Sequence, residues 1–336
     1  MRRLTDSWQL ADLEIPNRVV LAPLAGIGNW FVRLQAKRYG AGLAVSEMIS
    51  SHAVHYGNEK TCTELLRIHP DERTAGTAGP TSMQLFGQDP DVMRSAAATV
   101  AAAGADIIDL NMGCPVPKVC KTGAGAALIK DPDTAVAVAA AAREGSGLPV
   151  TVKLRSAVKQ GDTDGFDLAH RLVNEAGVAA ICFHPRSAQV HHKGVPDLEL
   201  AKALVESLPA PVILSGGMNE PEWIVNAFDF TGAEAIMLAR GGLGNPWLFA
   251  RLLDDGTDPP SEPSREEILD ELDWVLDRAV EHLGPDRAGR YLRKFYPWYV
   301  ERLGEGKALQ EALQRTDTVD GARAVLAPLR AVSTAA

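Results

Sequence analysis

Cysteine is scarce in this chain of 336 residues, and its four copies, Cys62, Cys114, Cys120 and Cys182, are scattered. None forms a zinc-type Cys-x-x-Cys pair, since even Cys114 and Cys120 have five residues between them. No metal is expected, and the thiols are expected to be reduced, as in a cytoplasm. Long apolar runs are also missing: no span of about 20 such residues occurs, which argues against a membrane protein. Met1-Arg2-Arg3 is basic, but Leu4-Thr5-Asp6-Ser7 follows where a secretory leader needs an apolar stretch. Positive charge is in deficit, with 34 Lys and Arg against 43 Asp and Glu and a net charge of -9. That argues against a general nucleic-acid binder, although a local basic face is enough for phosphate contacts.

What is present is a globular composition, 46% hydrophobic and 23% charged, long enough for one large domain and a smaller one. Short apolar runs rich in β-branched residues recur at 18–21, 43–45, 82–86, 105–110, 149–154, 179–183, 211–214 and 235–238. Helix-like stretches at 29–39, 89–103, 133–144, 166–176, 198–208 and 220–230 separate them. Strands this short and this apolar are buried on both faces. Eight such units in about 250 residues predict a closed (β/α)₈ TIM barrel over 1–253, with reactive groups at the strand C-termini. A polar, proline-rich break at 254–263 predicts a linker. Ser264 and Glu267 then have capping-box spacing ahead of Ile268, Leu272 and Leu276, so an all-helical domain is expected over 264–336.

The candidate chemistry lies at the strand ends. Cys114, in Asn111-Met112-Gly113-Cys114-Pro115, follows the fourth strand; with a reference pKa of about 8.5 it stays protonated near neutral pH unless a cation or helix terminus intervenes, which suits a proton donor. Its bland alternative is a small buried hydrophobe. Lys153 and Arg155 end the fifth strand, where a lysine is placed to stabilise negative charge on a reduced ring. His184 and Arg186 end the sixth. Ser215-Gly216-Gly217 and Ala239-Arg240-Gly241-Gly242 follow the seventh and eighth, where such barrels often hold a phosphate. Gln84, polar within an otherwise apolar strand, requires a hydrogen-bond partner.

Several of these segments together resemble the tRNA-dihydrouridine synthase family: Pro23-Leu24-Ala25-Gly26, Ser46-Glu47-Met48, Gln84-Leu85-Phe86-Gly87, Asp109 through Pro115, Val152-Lys153-Leu154-Arg155, His184-Pro185-Arg186 and Gly244-Asn245-Pro246-Trp247, in order and spacing. The resemblance spans roughly the first 250 residues, with Arg293-Lys294 and Trp298-Tyr299 similar to a basic segment of the tail. It implies an FMN-dependent enzyme that uses NADPH to reduce selected tRNA uridines to 5,6-dihydrouridine. By that resemblance Cys114 is the proton donor, and Pro23, Leu24, Ala25, Gln84, Lys153, His184, Ser215, Gly216, Gly217, Ala239 and Arg240 line the flavin. Asn111, Arg155 and Arg186 fall on the substrate side.

The chain departs from the family pattern in three places. Ser215-Gly216-Gly217 stands where Asn-Gly-Asp is common, Ala239 replaces a usual glycine, and the 187–194 loop carries histidines where a tyrosine is usual. In the tail, Arg287, Arg290, Arg293 and Lys294 recur at helical spacing with no acid between them, a candidate tRNA-binding face whose alternative is a solvated surface. Two other functions compete: an FMN-dependent dehydrogenase of a free pyrimidine or dihydroorotate, and a catalytically idle RNA-binding barrel. The basic tail speaks against the first, and chemistry-bearing residues at three separate strand ends against the second.

Overall fold

The computed structural model describes residues 2–74, 76, 79–254 and 262–333. The eight expected strands are present, each within two residues of its predicted bounds: β1 Val19–Leu21, β2 Leu43–Val45, β3 Thr81–Phe86, β4 Ile107–Met112, β5 Val150–Arg155, β6 Ala180–His184, β7 Val212–Ser215 and β8 Ala235–Leu238. Each pairs in parallel with the next, and β8 pairs with β1 in the register Ile236 to Val19, which closes the ring. Helices α1 Trp30–Arg38, α2 Ser51–His55, α3 Pro90–Ala102, α4 Pro132–Ser146, α5 Asp164–Ala176, α6 Leu198–Ser207 and α7 Pro221–Thr231 follow β1 to β7. Side-chain caps set several of the starts: Asn29 accepts from the Phe31 and Val32 N–H groups, Asp89 from Asp91 and Val92, and Asp197 from Leu200.

A two-stranded antiparallel hairpin, Trp8–Leu10 with Leu13–Ile15, precedes the barrel. Three-residue strands leave too little alternation to register as a pattern, so the sequence reading does not contain it. Trp8, Leu10 and Ile15 share one buried cluster with Val20, Leu43, Ile107, Ala180, Ile213 and Ala235, the inward residues near the strand N-termini. The hairpin therefore plugs the bottom of the barrel and leaves the opposite end for the site.

The long connection from β2 to β3 is held by buried charge. Arg33 of α1 donates through Nε and Nη2 to the two carboxylate oxygens of Glu72 at 2.8 and 2.9 Å, and neither side chain is exposed. Lys37, one turn on, donates to the Glu72 and Gly79 carbonyls and to the Thr81 hydroxyl, and burial pushes its ammonium down to about 8. A bidentate geometry with every donor used is what a buried ion pair requires to be tolerated.

The chain divides into two compact units, Met1–Arg240 and Gly241–Ala336. The second contains α8 Trp247–Leu253, α9 Arg265–Leu283, α10 Pro285–Leu292, α11 Tyr296–Arg302, α12 Lys307–Gln314 and α13 Val319–Ser333. Thus α8, which the sequence reading counts with the barrel, groups with the tail. Of the expected linker at 254–263, positions 255–261 lie outside the described residues. The Ser264 capping box is formed, with Ser264 accepting from the Glu267 N–H and the Glu267 carboxylate accepting in return. Ile268, Leu272, Leu276, Leu292, Tyr296 and Leu313 are buried in this unit.

Glu72→Ala leaves Arg33 buried without its partner and should cost about 3–5 kcal/mol, by the usual penalty for breaking a buried ion pair. Urea denaturation checks this, and a midpoint unchanged from wild type contradicts it.

Candidate active site

The inward side chains of the barrel turn polar toward its C-terminal mouth, as the strand register requires. Gln84 lies beside Asp109 and Asp109 beside Thr151; Asn111 lies beside Lys153 and Lys153 beside Cys182; Arg155 lies beside His184. Above them opens a cavity of about 330 Å³. It brings together Pro23, Leu24 and Ala25 after β1, Asn111 and Cys114 of β4 and its turn, Lys153 and Arg155 of β5, His184 of β6, Ser215, Gly216 and Gly217 of β7 and its loop, and Ala239 and Arg240 after β8. Residues 155 apart or more in sequence, such as Ala25 and Ser215, thus face one space. Lys153, Arg155 and Arg240 are among the lining residues, and among the described residues no Asp or Glu is. The charge of the lining is thus positive although the net charge of the chain is -9.

Cys114 is half-buried, and burial pushes its thiol above the ordinary range, opposed by a backbone hydrogen bond at Val116 and by the charge of Arg155. The thiol is therefore protonated at neutral pH. Its turn is held from two sides: the Gly113 and Cys114 N–H groups donate to Asn111 Oδ1 at 3.2 and 2.9 Å, and Arg155 Nε donates to the Gly113 carbonyl at 2.9 Å. Arg155 Nη1 donates to the Ser187 and His191 carbonyls, tying the same turn to the 187–191 loop. The guanidinium thus donates to backbone carbonyls. Burial, followed by repulsion from Arg186, lowers it to about 10.

His184 is buried at the end of β6, and its imidazole is pushed far below the ordinary range, first by burial and then by Lys153, Arg155 and Arg186. It is neutral at physiological pH. Gly216 packs on its edge: a Cβ there lies 2.3 Å from His184 Cδ2, and the backbone has φ of +100°. Gly217 follows at φ +81°. Both positions require glycine, and the loop backbone reaches the cavity because neither carries a side chain. Lys153 Nζ donates to Ser215 Oγ at 3.1 Å.

Two candidates from the sequence stand apart from the lining. Gln84 is completely buried: Nε2 donates to Asp109 at 2.6 Å, Oε1 accepts from Asn111 Nδ2 at 2.9 Å, and its N–H donates to Ser46 Oγ. Arg186 is also buried and donates to the Gly194 carbonyl at 2.6 Å, with Nη1 3.3 Å from His184 Nε2. Conversely the cavity includes His191 and His192, which the sequence reading left without a role, and burial lowers His192 to about 4. In the sequence Asp109 stands out only as part of the Asp109–Pro115 motif. Its signal is the charge itself, inside the run Ile107-Ile108-Asp109-Leu110; in the structure burial raises it to about 6 against hydrogen bonds from Thr151 and Gln84 and the charge of Lys153.

In the helical unit, α10 ends at Leu292, so Arg293 and Lys294 lie in the following turn rather than on one continuous helical face. Asp317 reaches this group from a distant segment, 3.5 Å from Arg290 and 2.9 Å from Arg293. Arg287 Nε donates to the Leu283 carbonyl, and Lys294 Nζ lies 4.7 Å from the Tyr291 ring centre.

A parallel (β/α)₈ barrel with a cationic cavity at its mouth and a protonated thiol at the edge defines a class of barrel enzyme. The sequence profile described as Dihydrouridine synthase (Dus) matches residues 20–335, and the chain belongs to that family. Similar relatives include tRNA-dihydrouridine synthase B of Vibrio vulnificus (strain CMCP6), 32% identical over 92% of this chain and 94% of the relative, and of Pseudomonas aeruginosa, 31% identical over 93% and 92%. Among solved structures, morphinone reductase (16% identity, TM-score 0.52, 78% of this chain and 93% of that one) and a variant of NCR from Zymomonas mobilis (17%, 0.58, 78% and 94%) are similar in fold alone.

Since the imidazoles of His184 and His192 are both lowered, neither should titrate between pH 5 and 8. Ring proton shifts followed by NMR over that range should stay flat for both; a midpoint near 6.5 for His184 contradicts the cationic, water-poor environment assigned to it.

Proposed function

We propose that the protein reduces specific uridines in tRNA to 5,6-dihydrouridine in the cytoplasm, with FMN as its bound cofactor and NADPH as electron donor. The observation that carries this reading is the raised, protonated Cys114 thiol at the edge of a cavity lined by three cations and no carboxylate. The residues fit a phosphorylated flavin. Arg240 has no carboxylate partner among the described residues, and Gly216 and Gly217 bring bare backbone to the same end, which suits a phosphate. Pro23, Leu24 and Ala25 supply an apolar wall, and Lys153 offers a positive charge to the ring.

When bound and reduced, FMN supplies the hydride for C6 of the uracil ring. Cys114 Sγ holds the proton that C5 requires, and a positioned acid of this kind is worth about 10²–10⁴-fold in rate. On this reading Asn111, beside Cys114 at the cavity wall, lies on the substrate side and holds the turn that carries the thiol, while Arg155 and Arg186 position the loops around the base. The target nucleotide must leave its own stack to enter, which costs least in an unpaired loop. On this reading residues 1–253 are the catalytic domain, 254–263 the linker and 264–336 the tRNA-binding domain, where Arg287, Arg290, Arg293 and Lys294 meet phosphates.

Cys114→Ala should leave FMN content and NADPH oxidation intact while removing most dihydrouridine formation. Single-turnover reduction of tRNA at the wild-type rate would sink the assignment. For the tail, replacing Arg287, Arg290, Arg293 and Lys294 by alanine should weaken tRNA binding and flatten its salt dependence by roughly 0.7 to 0.9 log units per lost contact per log unit of salt. Asp317→Asn should do the opposite, since it removes the acid that shields Arg290 and Arg293. Filter binding across a salt series measures both, and an unchanged slope in the quadruple variant moves the docking surface to the barrel loops.

A further inference from the structure

We propose that Asp109 and Gln84 are positioning residues for the Cys114 thiol, acting through an amide relay whose polarity the buried carboxylate imposes. The inference deepens the reading of Cys114 as proton donor and rests on it. An ionised carboxylate only accepts hydrogen bonds. Asp109 Oδ1 accepts from the Thr151 hydroxyl at 2.6 Å and Oδ2 from Gln84 Nε2 at 2.6 Å. The amide nitrogen of Gln84 is thereby committed to Asp109, so Oε1 must face Asn111, where it accepts from Nδ2 at 2.9 Å. The nitrogen of Asn111 is committed in turn, and Oδ1 faces the Gly113 and Cys114 N–H groups at 3.2 and 2.9 Å. Turning Gln84 over sets acceptor against acceptor at Asp109 and donor against donor at Asn111, and turning Asn111 over does the same at Gln84 and at the Gly113 and Cys114 N–H groups. One interior charge therefore fixes the relay from below, as the N–H groups of the turn that carries the thiol fix it from above.

A local turn alone does not explain the arrangement. Asn111 Oδ1 accepting from residues two and three further on is a common motif that needs no buried charge beneath it. Yet Asp109 sits 2% exposed in the barrel interior, where burial resists its ionisation, and asparagine would fill the same volume with no charge to desolvate. Asparagine, however, presents both a donor and an acceptor, so the polarity of the relay is then held only by the Gly113 and Cys114 N–H groups of the turn itself. A costly group kept beneath a reactive one is where a functional constraint is expected.

The test uses the full-length enzyme loaded with FMN. Asp109→Asn should lower kcat for tRNA reduction by about 10- to 100-fold, the scale of a misplaced reacting group, with KM and flavin content little changed. Cys114 should be alkylated by iodoacetamide several-fold faster as its turn loosens. Melting at pH 8 should not fall, whereas a merely structural role predicts that stability and turnover fall together. The exchange variant Asp109→Asn with Gln84→Glu keeps total charge and restores polarity, because the amide at 109 donates to the carboxylate at 84, which still accepts from Asn111. It should recover most of both kcat and the wild-type alkylation rate. Wild-type turnover in Asp109→Asn, or an exchange variant that folds and recovers neither quantity, overturns the relay. If Asp109→Asn melts early, Gln84→Met interrupts the relay without removing the charge and carries the same expectation. A wild-type enzyme that forms no dihydrouridine sinks the functional reading instead, and the alkylation rates still decide the relay.

Discussion

The parallel register of β3 to β6 is the constraint on which the site depends. Side chains alternate across a strand, so a slip of one residue turns every inward group outward. In the observed register Gln84, Asp109 and Thr151 form one level of the interior, and Asn111, Lys153 and Cys182 the next. Apolar residues fill the opposite end, where Trp8, Leu10 and Ile15 close the barrel. The polar gradient from bottom to mouth is thus a property of strand alignment, and hydrogen bonds within and between these levels and to the Gly113 and Cys114 N–H groups fix the orientation of the amides.

Charge is organised against the grain of the whole chain. A molecule of net charge -9 gathers Lys153, Arg155 and Arg240 around one cavity with no carboxylate in its lining. Burial, with Lys153, Arg155 and Arg186, keeps His184 neutral. The Cys114 thiol, half-buried, remains protonated even with Arg155 close by, because desolvation outweighs the attraction. A protonated thiol and a cationic lining thereby coexist within one mouth.

Much of this was legible in sequence. The eight short β-branched runs predicted the barrel, because strands covered on both faces leave an unmistakable apolar signature, and the helix-like stretches beginning at 29, 89 and 198 start where Asn29, Asp89 and Asp197 cap the observed helices. The Ser264 box marked the first long tail helix for the same reason. Cys114, Lys153, His184 and the two glycine loops stood out because polar or turn residues interrupt apolar strands at their ends. The hairpin at 8–15 was too short for any period to show. Gln84 required a partner on chemical grounds, but which partner was not readable: it spends its amide on Asp109 and Asn111 beneath the cavity. Along the chain Arg290 and Arg293 have no acid between them, yet Asp317 reaches both, because proximity across helices leaves no trace in local spacing.

The amino-acid sequence by itself determined the barrel, the helical tail, the strand ends as the seat of chemistry and the family, since each depends on local period or on an ordered set of motifs. Only the tertiary structure decided which groups share a level, which direction each amide faces, that Arg155 spends its donors on the Gly113, Ser187 and His191 carbonyls, and that Asp317 shields the tail arginines. Those outcomes depend on distances of a few ångströms between residues tens to hundreds apart in the chain, and such distances are set by strand register and helix docking.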